Sequence, residues 1–388
     1  MSKLEQLIKE LCPDGVEWKT LGEVAELKRG RVMSKEYLVE NSGTYPVYSS
    51  QTANNGEIGK IATFDFDQET VTWTTDGANA GTVFHRVGKF SITNVCGLIV
   101  LRNAQKLSYK FLYYWLTIEA KKYVYSGMGN PKLMSNQVSK IQIPIPPLPV
   151  QLEIVRILDN FTELTAELTA ELTARKKQYE YYRDELLTFG DDVEWKTLGE
   201  VAQIQRGASP RPITKYITND LNGVPWIKIG DTSPGSKYVC ETAQKITWEG
   251  AKSSRILNKG DFILSNSMSF GRPYILSITG AIHDGWASIS KFSEILNSDF
   301  LYHYLSSNMV KNYWAGKINS SSVSNLNADI IKALPIPILS FTEQEKIVAI
   351  LDKFDTLVND ISQGLPAEIE MRTKQHDYYR NKLLSFNK

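Results

Sequence analysis

Two short stretches carry residue types that could transfer a methyl group or hydrolyse a phosphodiester. Asn130-Pro131 begins like the Asn-Pro-Pro-aromatic motif of amino-methyltransferases, but a lysine and a leucine follow. Asp14, Glu17 and Lys19 have the letters of a PD-(D/E)xK nuclease motif. The gap between Asp14 and Glu17 is too short, however, to place both carboxylates around one metal ion. Neither stretch predicts an active site, and we expect the chain to contain no catalytic residue.

Histidines and cysteines, the usual ligands of zinc, are few and widely separated. They are His85, His283, His303 and His376, and Cys12, Cys96 and Cys240. Their spacings match no metal-ligand motif, so we predict no metal and no cofactor. His376 falls at helical spacing with apolar residues and is expected to pack. Unclustered cysteines, a charged N-terminus and the lack of an apolar run of about 18 residues favour a cytoplasmic protein without a membrane segment.

The elements that would position functional groups are duplicated within the chain. VEWKTLGEVAELKRG at 16–30 matches VEWKTLGEVAQIQRG at 193–207 in twelve of fifteen positions. IVRILDNF at 154–161 matches IVAILDKF at 347–354, and KQYEYYRDELLTF at 177–189 matches KQHDYYRNKLLSF at 374–386. Matched blocks in the same order predict a pseudo-two-fold internal repeat. The stretches between the first and second blocks share little, which favours a common scaffold with two different binding surfaces.

The later blocks of each half predict long helices. Proline runs at 143–149 and 334–338 predict extended segments, and a helix from about 150 to 188 follows the first. Apolar residues recur at coiled-coil spacing, and we predict that they form a seam between the helices. The seam consists of Phe161, Leu164, Leu168, Leu172, Tyr182 and Leu186 in the first copy and Phe354, Leu357, Ile361, Tyr379 and Leu383 in the second. Gly364 and Pro366 predict a break in the second copy.

Short runs of β-branched and aromatic residues, broken by Gly, Asn, Asp and Pro, predict strands with tight turns between the blocks. Helices are predicted at 108–124 and 298–314. The tryptophans Trp73, Trp226, Trp248 and Trp286 are expected in the core. Although the net charge of the chain is only +1, residues 16–142 and 193–333 each hold fifteen basic and eleven acidic side chains. Such an excess suits contact with phosphates, although ordinary charge fluctuation would also produce it.

The order of these blocks resembles that of the specificity subunits of type I restriction-modification systems. The resemblance is carried by the VEWKTLGEV blocks, the IPIP segments, the IVxILDxF helices, the YYRxxLL(T/S)F ends and the Leu-Thr-Ala-Glu repeat at 162–174. It implies an α+β fold, in which two strand-rich α/β target-recognition domains are separated by two long antiparallel coiled-coil-like helices. The expected segments are an N-terminal helix at 1–15 packing near the C-terminal helical region, domain 1 at 16–142, a central helical spacer at 143–190, domain 2 at 191–333 and a distal helical region at 334–388.

The resemblance also implies the partners. Double-stranded DNA would be the ligand, with each domain reading one half of a split, asymmetric target. The helical regions would bind two modification (methyltransferase) subunits, and restriction (endonuclease) subunits would join that complex. The chain itself would be a non-catalytic recognition subunit.

Residues that contact DNA are expected in the polar and basic loops of each domain, because Arg, Lys, Asn and Gln read base edges while Ser and Thr mostly contact phosphates. The candidates are Arg29, Ser50, Gln51, Asn54, Asn55 and Lys132 in domain 1, and Arg206, Lys228, Arg272, Lys317, Asn319 and Ser320 in domain 2. Each of them is equally typical of a turn or a solvated surface. Two other functions stay open from the residues alone: a tandem-domain protein-binding scaffold with a helical spacer, and an enzyme with an unrecognised active site.

Overall fold

A computed structural model describes residues 2–127, 129–232, 235–266, 271–319, 326–360 and 362–386. The chain forms two compact units, unit 1 from residues 1–165 and 372–388, and unit 2 from residues 166–371. Both units combine helices with sheets, which confirms the predicted α+β class.

Unit 1 contains domain 1 and the first part of the central helix. Its strands are β1 Glu17–Thr20, β2 Ala25–Arg29, β3 Ser42–Tyr48, β4 Glu57–Ile61, β5 Phe66–Asp67, β6 Thr70–Thr74, β7 Val83–Arg86, β8 Lys89–Ile92, β9 Cys96–Leu101 and β10 Gln142–Ile145. Its helices are α1 Lys3–Leu11, α2 Leu21–Val24, α3 Lys35–Glu40, α4 Tyr109–Glu119, α5 Ser135–Val138 and the long α6 Leu148–Leu186, which continues into unit 2. Single 3-10 turns lie at Ala53–Gly56 and Ala120–Tyr123.

Unit 2 contains domain 2 and the helices that follow it. Its strands are β11 Glu194–Thr197, β12 Gln203–Arg206, β13 Ile217–Thr218, β14 Val224–Ile227, β15 Tyr238–Val239, β16 Lys245–Ile246, β17 Arg255–Leu257, β18 Phe262–Ser265, β19 Pro273–Leu276, β20 Gly280–Ile282, β21 Trp286–Ser290 and β22 Pro335–Ile338. Its helices are α7 Leu198–Val201, α8 Trp248–Ala251, α9 Ser298–Ser306, α10 Asn308–Asn319, α11 Ala328–Lys332, α12 Phe341–Asn359 and the start of α13 Leu365–Leu383, which belongs to unit 1 from Arg372 onward. Single 3-10 turns lie at Ile213–Lys215 and Ile229–Asp231.

The two domains have the same sheet topology although their sequences differ. The main sheets have the orders β2-β9-β6-β7 in domain 1 and β12-β21-β18-β19-β15 in domain 2. The second sheets have the orders β4-β3-β8-β5 and β13-β16-β14-β20-β17, and in each the central pair, β3 with β8 or β14 with β20, is parallel. The divergent stretches therefore form one scaffold twice, with one extra strand on each sheet of domain 2.

The repeated opening block of each half pairs with the proline-containing segment at the end of the same domain. Strand β1 runs antiparallel to β10 with Trp18 opposite Pro144, and β11 runs antiparallel to β22 with Trp195 opposite Pro337. Proline lacks an N–H, so a ladder containing it has to lie at an edge, and each of these sheets has two strands. Each domain is thereby closed by a ladder between its own two ends.

A hydrogen-bonded turn explains why the Thr-Leu-Gly-Glu sequence occurs in both halves. The backbone N–H of Thr20 donates to Glu23 at 2.7 Å, and that of Thr197 donates to Glu200 at 2.6 Å. These capping boxes begin one-turn helices. A Cβ atom on Gly199 would lie 2.9 Å from the Cβ of Lys332, so the small residue allows the turn to approach α11.

The helical regions agree in part with the sequence-based expectations. Helix α6 extends over 39 residues, and the second region is divided into α12 and α13 by a break after Asn359, as Gly364 and Pro366 predicted. The helix predicted at 108–124 is α4 with a 3-10 turn, whereas the one predicted at 298–314 is divided at Ser307 into α9 and α10. Ser307 is the C-cap of α9, and its extended backbone angles end that helix before α10 begins.

The predicted seam has contacts in each unit, but it is not the most buried face of the helices. In unit 1, the rings of Phe161 and Tyr379 stack with centroids 5.4 Å apart; in unit 2, the rings of Tyr182 and Phe354 stack at 5.6 Å. Four seam residues are partly exposed and pack against the domain cores: Leu172, Leu186, Leu357 and Leu383. Two more, Leu164 and Leu168, are half-buried, and Ile361 lies outside the described residues. The fully buried helix residues are others, among them Val150, Leu158 and Leu351. A helix that packs on a domain as well as on another helix has to bury two faces, which a single seam does not describe.

Three of the four tryptophans predicted in the core are there, and one is not. Trp73, Trp226 and Trp286 are buried, but Trp248 is 61% exposed. Trp248 is the first residue of the one-turn helix α8, and its indole N–H donates to the carbonyl of Asn222 at 3.1 Å. The expectation was wrong for Trp248, because a flat apolar ring can cover a turn on the surface.

Helix α1 is tied to α6 by a buried carboxylate. Glu153, 4% exposed, accepts hydrogen bonds from Lys3 at 2.8 Å and from Arg156 at 2.7 Å. These hydrogen bonds, with that of Arg156 the stronger, lower the pKa of Glu153 from 4.5 to about 2. Leu4 and Leu7 of α1 share a core with Leu383 and Leu384.

We expect the substitution Glu153→Gln to lower the free energy of unfolding by about 1–3 kcal/mol, because charge-assisted hydrogen bonds are lost. The folded-state pKa lies below the unfolded value, so the stabilisation is complete above pH 4.5 and disappears as the pH falls toward 2. Thermal unfolding between pH 7 and pH 2.5 measures both effects. The variant Glu167→Gln, on an exposed position of the same helix, should melt like the unmodified protein. Equal pH dependence of the unmodified and Glu153→Gln proteins would contradict the assignment.

Candidate nucleic-acid interface

A three-residue loop at 93–95 connects the polar segments of domain 1. The Arg29 guanidinium donates to the carbonyl of Asn94 at 2.5 Å, and the N–H of Thr75 donates to the carbonyl of Val95 at 3.2 Å. The N–H of Thr93 donates to the carbonyl of Tyr48 at 2.9 Å. We call residues 93–95 the central loop of domain 1, because it fixes the ends of β2, β3 and β6 against the start of β9.

Domain 2 has an equivalent central loop at 283–285. The Arg206 guanidinium donates to the carbonyl of Asp284 at 3.3 Å, and the N–H of Asn266 donates to the carbonyl of Gly285 at 3.1 Å. The N–H of His283 donates to the carbonyl of Ile227 at 3.4 Å. These three bonds connect the loop to the ends of the corresponding strands β12, β18 and β14, so the same backbone arrangement occurs twice.

The central loops differ in the side chains that they present. Domain 1 presents the exposed amide of Asn94, whereas domain 2 presents the half-buried carboxylate of Asp284. The Ser209 hydroxyl donates to Asp284 at 2.9 Å, and this hydrogen bond lowers the pKa of Asp284. Burial lowers the pKa of His283. At neutral pH the domain 1 loop is therefore uncharged, while the domain 2 loop carries an anion beside a neutral imidazole.

Four of the predicted residues of domain 1 lie on one turn, at 49–57, which a buried arginine supports. Ser50, Gln51, Asn54 and Asn55 belong to it; the Gln51 amide donates to the carbonyl of Glu57, and both asparagines are exposed. Asn54 and Asn55 have φ of 48° and 53°, the left-handed region that asparagine tolerates better than most residues.

The supporting arginine is Arg86, which is 3% exposed. Its guanidinium lies 3.6 Å from the centroid of the Tyr48 ring and donates to the carbonyl of Asn55 at 2.7 Å. Burial lowers the pKa of Arg86, and its Nη1 has no hydrogen-bond partner among the described residues. The turn is joined to the central loop, because the hydroxyls of Ser49 and Thr93 are 2.8 Å apart.

Of the remaining two predicted residues of domain 1, Arg29 contacts the central loop, and Lys132 lies on a segment whose Met134 sulfur is 3.9 Å from Arg29 Nη1. Arg29 is held by Asn94 as described, and its Nη2 is also 3.3 Å from the hydroxyl of Thr75. Lys132 is exposed and pairs through its backbone with Tyr125, which is itself 66% exposed. The six predicted residues of domain 1 therefore lie on segments that contact the central loop or each other.

The predicted residues of domain 2 do not share one set of contacts, unlike those of domain 1. Arg206 contacts the central loop, whereas the Lys228 ammonium is bonded to the Gln244 amide at 2.8 Å. Arg272 lies over Tyr274, 5.3 Å from the ring centroid, and the exposed Lys317 lies over Tyr313 at 5.6 Å. Asn319 ends α10, and its side chain and Ser320 lie outside the described residues.

The comparisons with known proteins give the chain its family. The family model for the type I restriction modification DNA specificity domain matches twice, at residues 13–175 and 190–371. This chain belongs to the type I restriction-modification specificity family. Recognition of a DNA target is the role of that family. The comparisons therefore confirm the resemblance and decide against the protein-binding scaffold as the primary function.

Relatives in the specificity family match over nearly the whole length of this chain. A type I restriction enzyme specificity subunit of Escherichia coli is 33% identical over 100% of this chain and 98% of its own. A putative specificity subunit of Haemophilus influenzae is 34% identical over 96% of both chains. The solved structure of a type I restriction-modification S subunit from M. genitalium has the same fold, with a TM-score of 0.59 at 17% identity, covering 97% of this chain and 98% of that one.

Sequence reasoning missed several residues that this specificity chain places at its central loops or beneath the turn at 49–57. Asn94, Asp284 and Arg86 were not singled out, and neither was Arg211, whose exposed guanidinium lies 3.5 Å from Asp284. The short distance from Asn94 and Asp284 to the following buried strand was the available signal, because loops at strand ends present side chains to ligands.

Two further properties concern the described residues as a whole. Within the described ranges, no group of three or more His, Cys, Asp or Glu side chains could hold a metal ion. No helix in the described part of the chain is long and apolar enough to cross a membrane.

Proposed function

We propose that domain 1 and domain 2 each read one half of a split, asymmetric target in double-stranded DNA. The observation that carries this proposal is the pair of central loops, which share their backbone hydrogen bonds but present Asn94 in one domain and Asp284 in the other. Asparagine pairs with the N6 and N7 edge of adenine, and aspartate accepts from the N4 amine of cytosine. One scaffold with two different readers suits a target whose halves differ. The candidate residues on neighbouring segments would add phosphate and base contacts.

The variants Asn94→Asp and Asp284→Asn test this proposal. We expect Asn94→Asp to change base preference within the first half-site only, and Asp284→Asn within the second only. Each should reduce methylation of the original target by about tenfold to hundredfold, since a specific base contact contributes about 1–3 kcal/mol. The measurement is methylation, by the chain assembled with its modification subunits, of DNA libraries randomised in one half-site at a time.

The matched control is Asn103→Asp, an exposed position after the opposite end of β9. This variant should leave both half-sites unchanged. Altered preference in both half-sites after a single central-loop substitution, or in neither, would contradict independent reading.

The chain acts in this proposal as a recognition subunit without catalytic activity or a cofactor, working with modification and restriction subunits. Two copies of the modification subunit would dock on the helical regions, where the repeated blocks present the same exposed tyrosine, Tyr181 at 63% and Tyr378 at 60% exposure. The mass of the purified complex measures the number of copies. Transfer of a labelled methyl group to DNA by the chain alone would contradict the non-catalytic role.

A further inference from the structure

In each unit, a helix of the domain is bonded to an aspartate of the helix that follows it. In unit 1, Asp159 of α6 accepts hydrogen bonds from the Tyr114 hydroxyl at 2.8 Å and from Lys110 at 2.5 Å. In unit 2, Asp352 of α12 is bonded to His303 Nε2 at 2.8 Å and to Lys237 at 3.0 Å. The two aspartates are equivalent in the IVxILDxF blocks. Tyr114 and His303 are equivalent in the sequences FLYYWL and FLYHYL.

A second helix lies beside the same tyrosine or histidine. In unit 1, the rings of Tyr114 and His376 of α13 have centroids 6.3 Å apart. In unit 2, the Tyr179 hydroxyl of α6 is 3.1 Å from His303 Nδ1. His376 and Tyr179 occupy equivalent positions of the KQxxYYR blocks. From the aspartate through the domain residue to the second helix, unit 1 therefore has aspartate, tyrosine and histidine, and unit 2 has aspartate, histidine and tyrosine. The two ring types have exchanged places.

The bonding in unit 2 defines which group donates. His303 is fully buried, and Asp352 can only accept, so His303 Nε2 carries the proton that lies between them. In a neutral ring Nδ1 then accepts, and the Tyr179 hydroxyl donates to it. Burial raises the pKa of Tyr179, which keeps this donor protonated.

A mismatched pairing would lose this complementarity. If Tyr114 lay beside Tyr179 in place of His376, two phenols would occupy the space of a phenol and an imidazole, and the Tyr179 hydroxyl would lose the acceptor that His303 provides. If His303 met a histidine in place of Tyr179, its Nδ1 would lose the hydroxyl donor. A buried polar group without its partner and an overfilled contact both destabilise a folded arrangement.

Mismatched pairing is a real alternative for this chain, because the two halves share a scaffold and similar helical blocks. Domain 1 of one molecule could pack on the end of α6 from a second molecule, and domain 2 on the end of α13 from a second molecule, as in domain swapping. The first exchange would place Tyr114 beside Tyr179, and the second would place His303 beside His376.

We propose that the exchanged Tyr–His pairs are matching elements, by which each recognition domain accepts its own helix end and disfavours pairing with a second copy of this chain. The pairs act as positioning residues and need not contact DNA. The proposal is independent of which bases the domains read.

The decisive variant exchanges only the helix residues, Tyr179→His together with His376→Tyr, in the full-length chain. Both pairs are then mismatched within one molecule and matched between two. We expect the fraction of dimer, measured by light scattering over a concentration series, to rise at least tenfold above that of the unmodified chain, and the melting temperature of the monomer to fall. The exchange Thr188→Ser with Ser385→Thr, at equivalent exposed positions of the same blocks, should change neither quantity.

Adding Tyr114→His and His303→Tyr restores matched pairs in both units and should return the dimer fraction and melting temperature to those of the unmodified chain. If the helix exchange does not fold, His376→Tyr with and without Tyr114→His gives the same test in unit 1, where the second substitution should recover the melting temperature that the first loses. An unchanged oligomeric state and melting temperature after the helix exchange, or no recovery by the compensating substitutions, would overturn the proposal.

Discussion

Deletion of residues 165–168 is expected to leave both half-sites of the DNA target unchanged and to shorten the gap between them by one base pair. These residues are one Thr-Ala-Glu-Leu unit of the repeat within α6, which is a continuous helix from Leu148 to Leu186. Removing four residues shortens a helix by about 6 Å and turns it by about 400°, a net rotation of about 40°. Leu172 then occupies the place of Leu168, so the apolar face persists.

The rotation decides the expected change in gap length. One base pair extends a DNA duplex by about 3.4 Å and turns the next site by about 35°. The rotation of one repeat unit therefore matches one base pair, although its length is nearer to two, and bending of DNA or tilting of helices has to absorb the difference. We expect methylation of the original sites to become undetectable and sites with the shorter gap to become methylated.

Genome-wide mapping of methylated sites, with and without the deletion, measures this result. The substitution Glu167→Gln keeps the length of the helix and serves as a control that should retain the original gap. An active complex of the deletion variant with an unchanged gap would show that the length of α6 does not set the distance between the half-sites. Loss of folding would show separately as a lowered melting temperature.

Replacement of residues 31–140 by the corresponding stretch of another specificity subunit is expected to change one half of the target only. The exchange leaves β1 and β10 in place, so the ladder that closes domain 1 is kept. Several mismatched base pairs, at about 1–3 kcal/mol each, should reduce methylation of the original target by about a thousandfold or more. The new target should keep the second half-site.

Mapping of methylated sites for the chimaera, assembled with the same modification subunits, tests this result. A chimaera that contains the same stretch from a subunit with an identical first half-site is the matched control and should keep the original target. A folded, assembled chimaera that changes both half-sites would show that the domains do not read independently.

The parts of this fold that the sequence predicts are those in which local patterns determine structure. The length of α6 follows from an uninterrupted helical periodicity, and the break before α13 follows from Gly364 and Pro366. The pairing of Trp18 with Pro144 was not predicted, because a ladder between distant segments leaves no local pattern. The buried guanidinium of Arg86 was missed for a similar reason, since its burial depends on Tyr48, an aromatic ring 38 residues earlier in the chain.

The sequence predicts the turn at 49–57 of the candidate interface but not the side chains of the central loops. The glycine and asparagine content of the turn at 49–57 indicated a loop, and the structure joins that turn to the central loop. Asn94 and Asp284 are ordinary loop residues in the sequence, and their equivalence appears only when β9 and β21 are superimposed by topology. The sequences of domain 1 and domain 2 retain little similarity, so only the strand order of their sheets identifies equivalent positions.

The ladder between β1 and β10, and its equivalent between β11 and β22, has a consequence for inheritance. Adjacent strands lie about 4.8 Å apart, so whatever chain connects the two strands of a ladder need only begin and end at neighbouring points, the condition under which inserted segments are tolerated. Both ladders have the same register, so the ends of either domain have the spacing that the other ladder requires. If a set of such segments could occupy either position, the number of target combinations would grow as the square of the set, while the helices stayed unaltered.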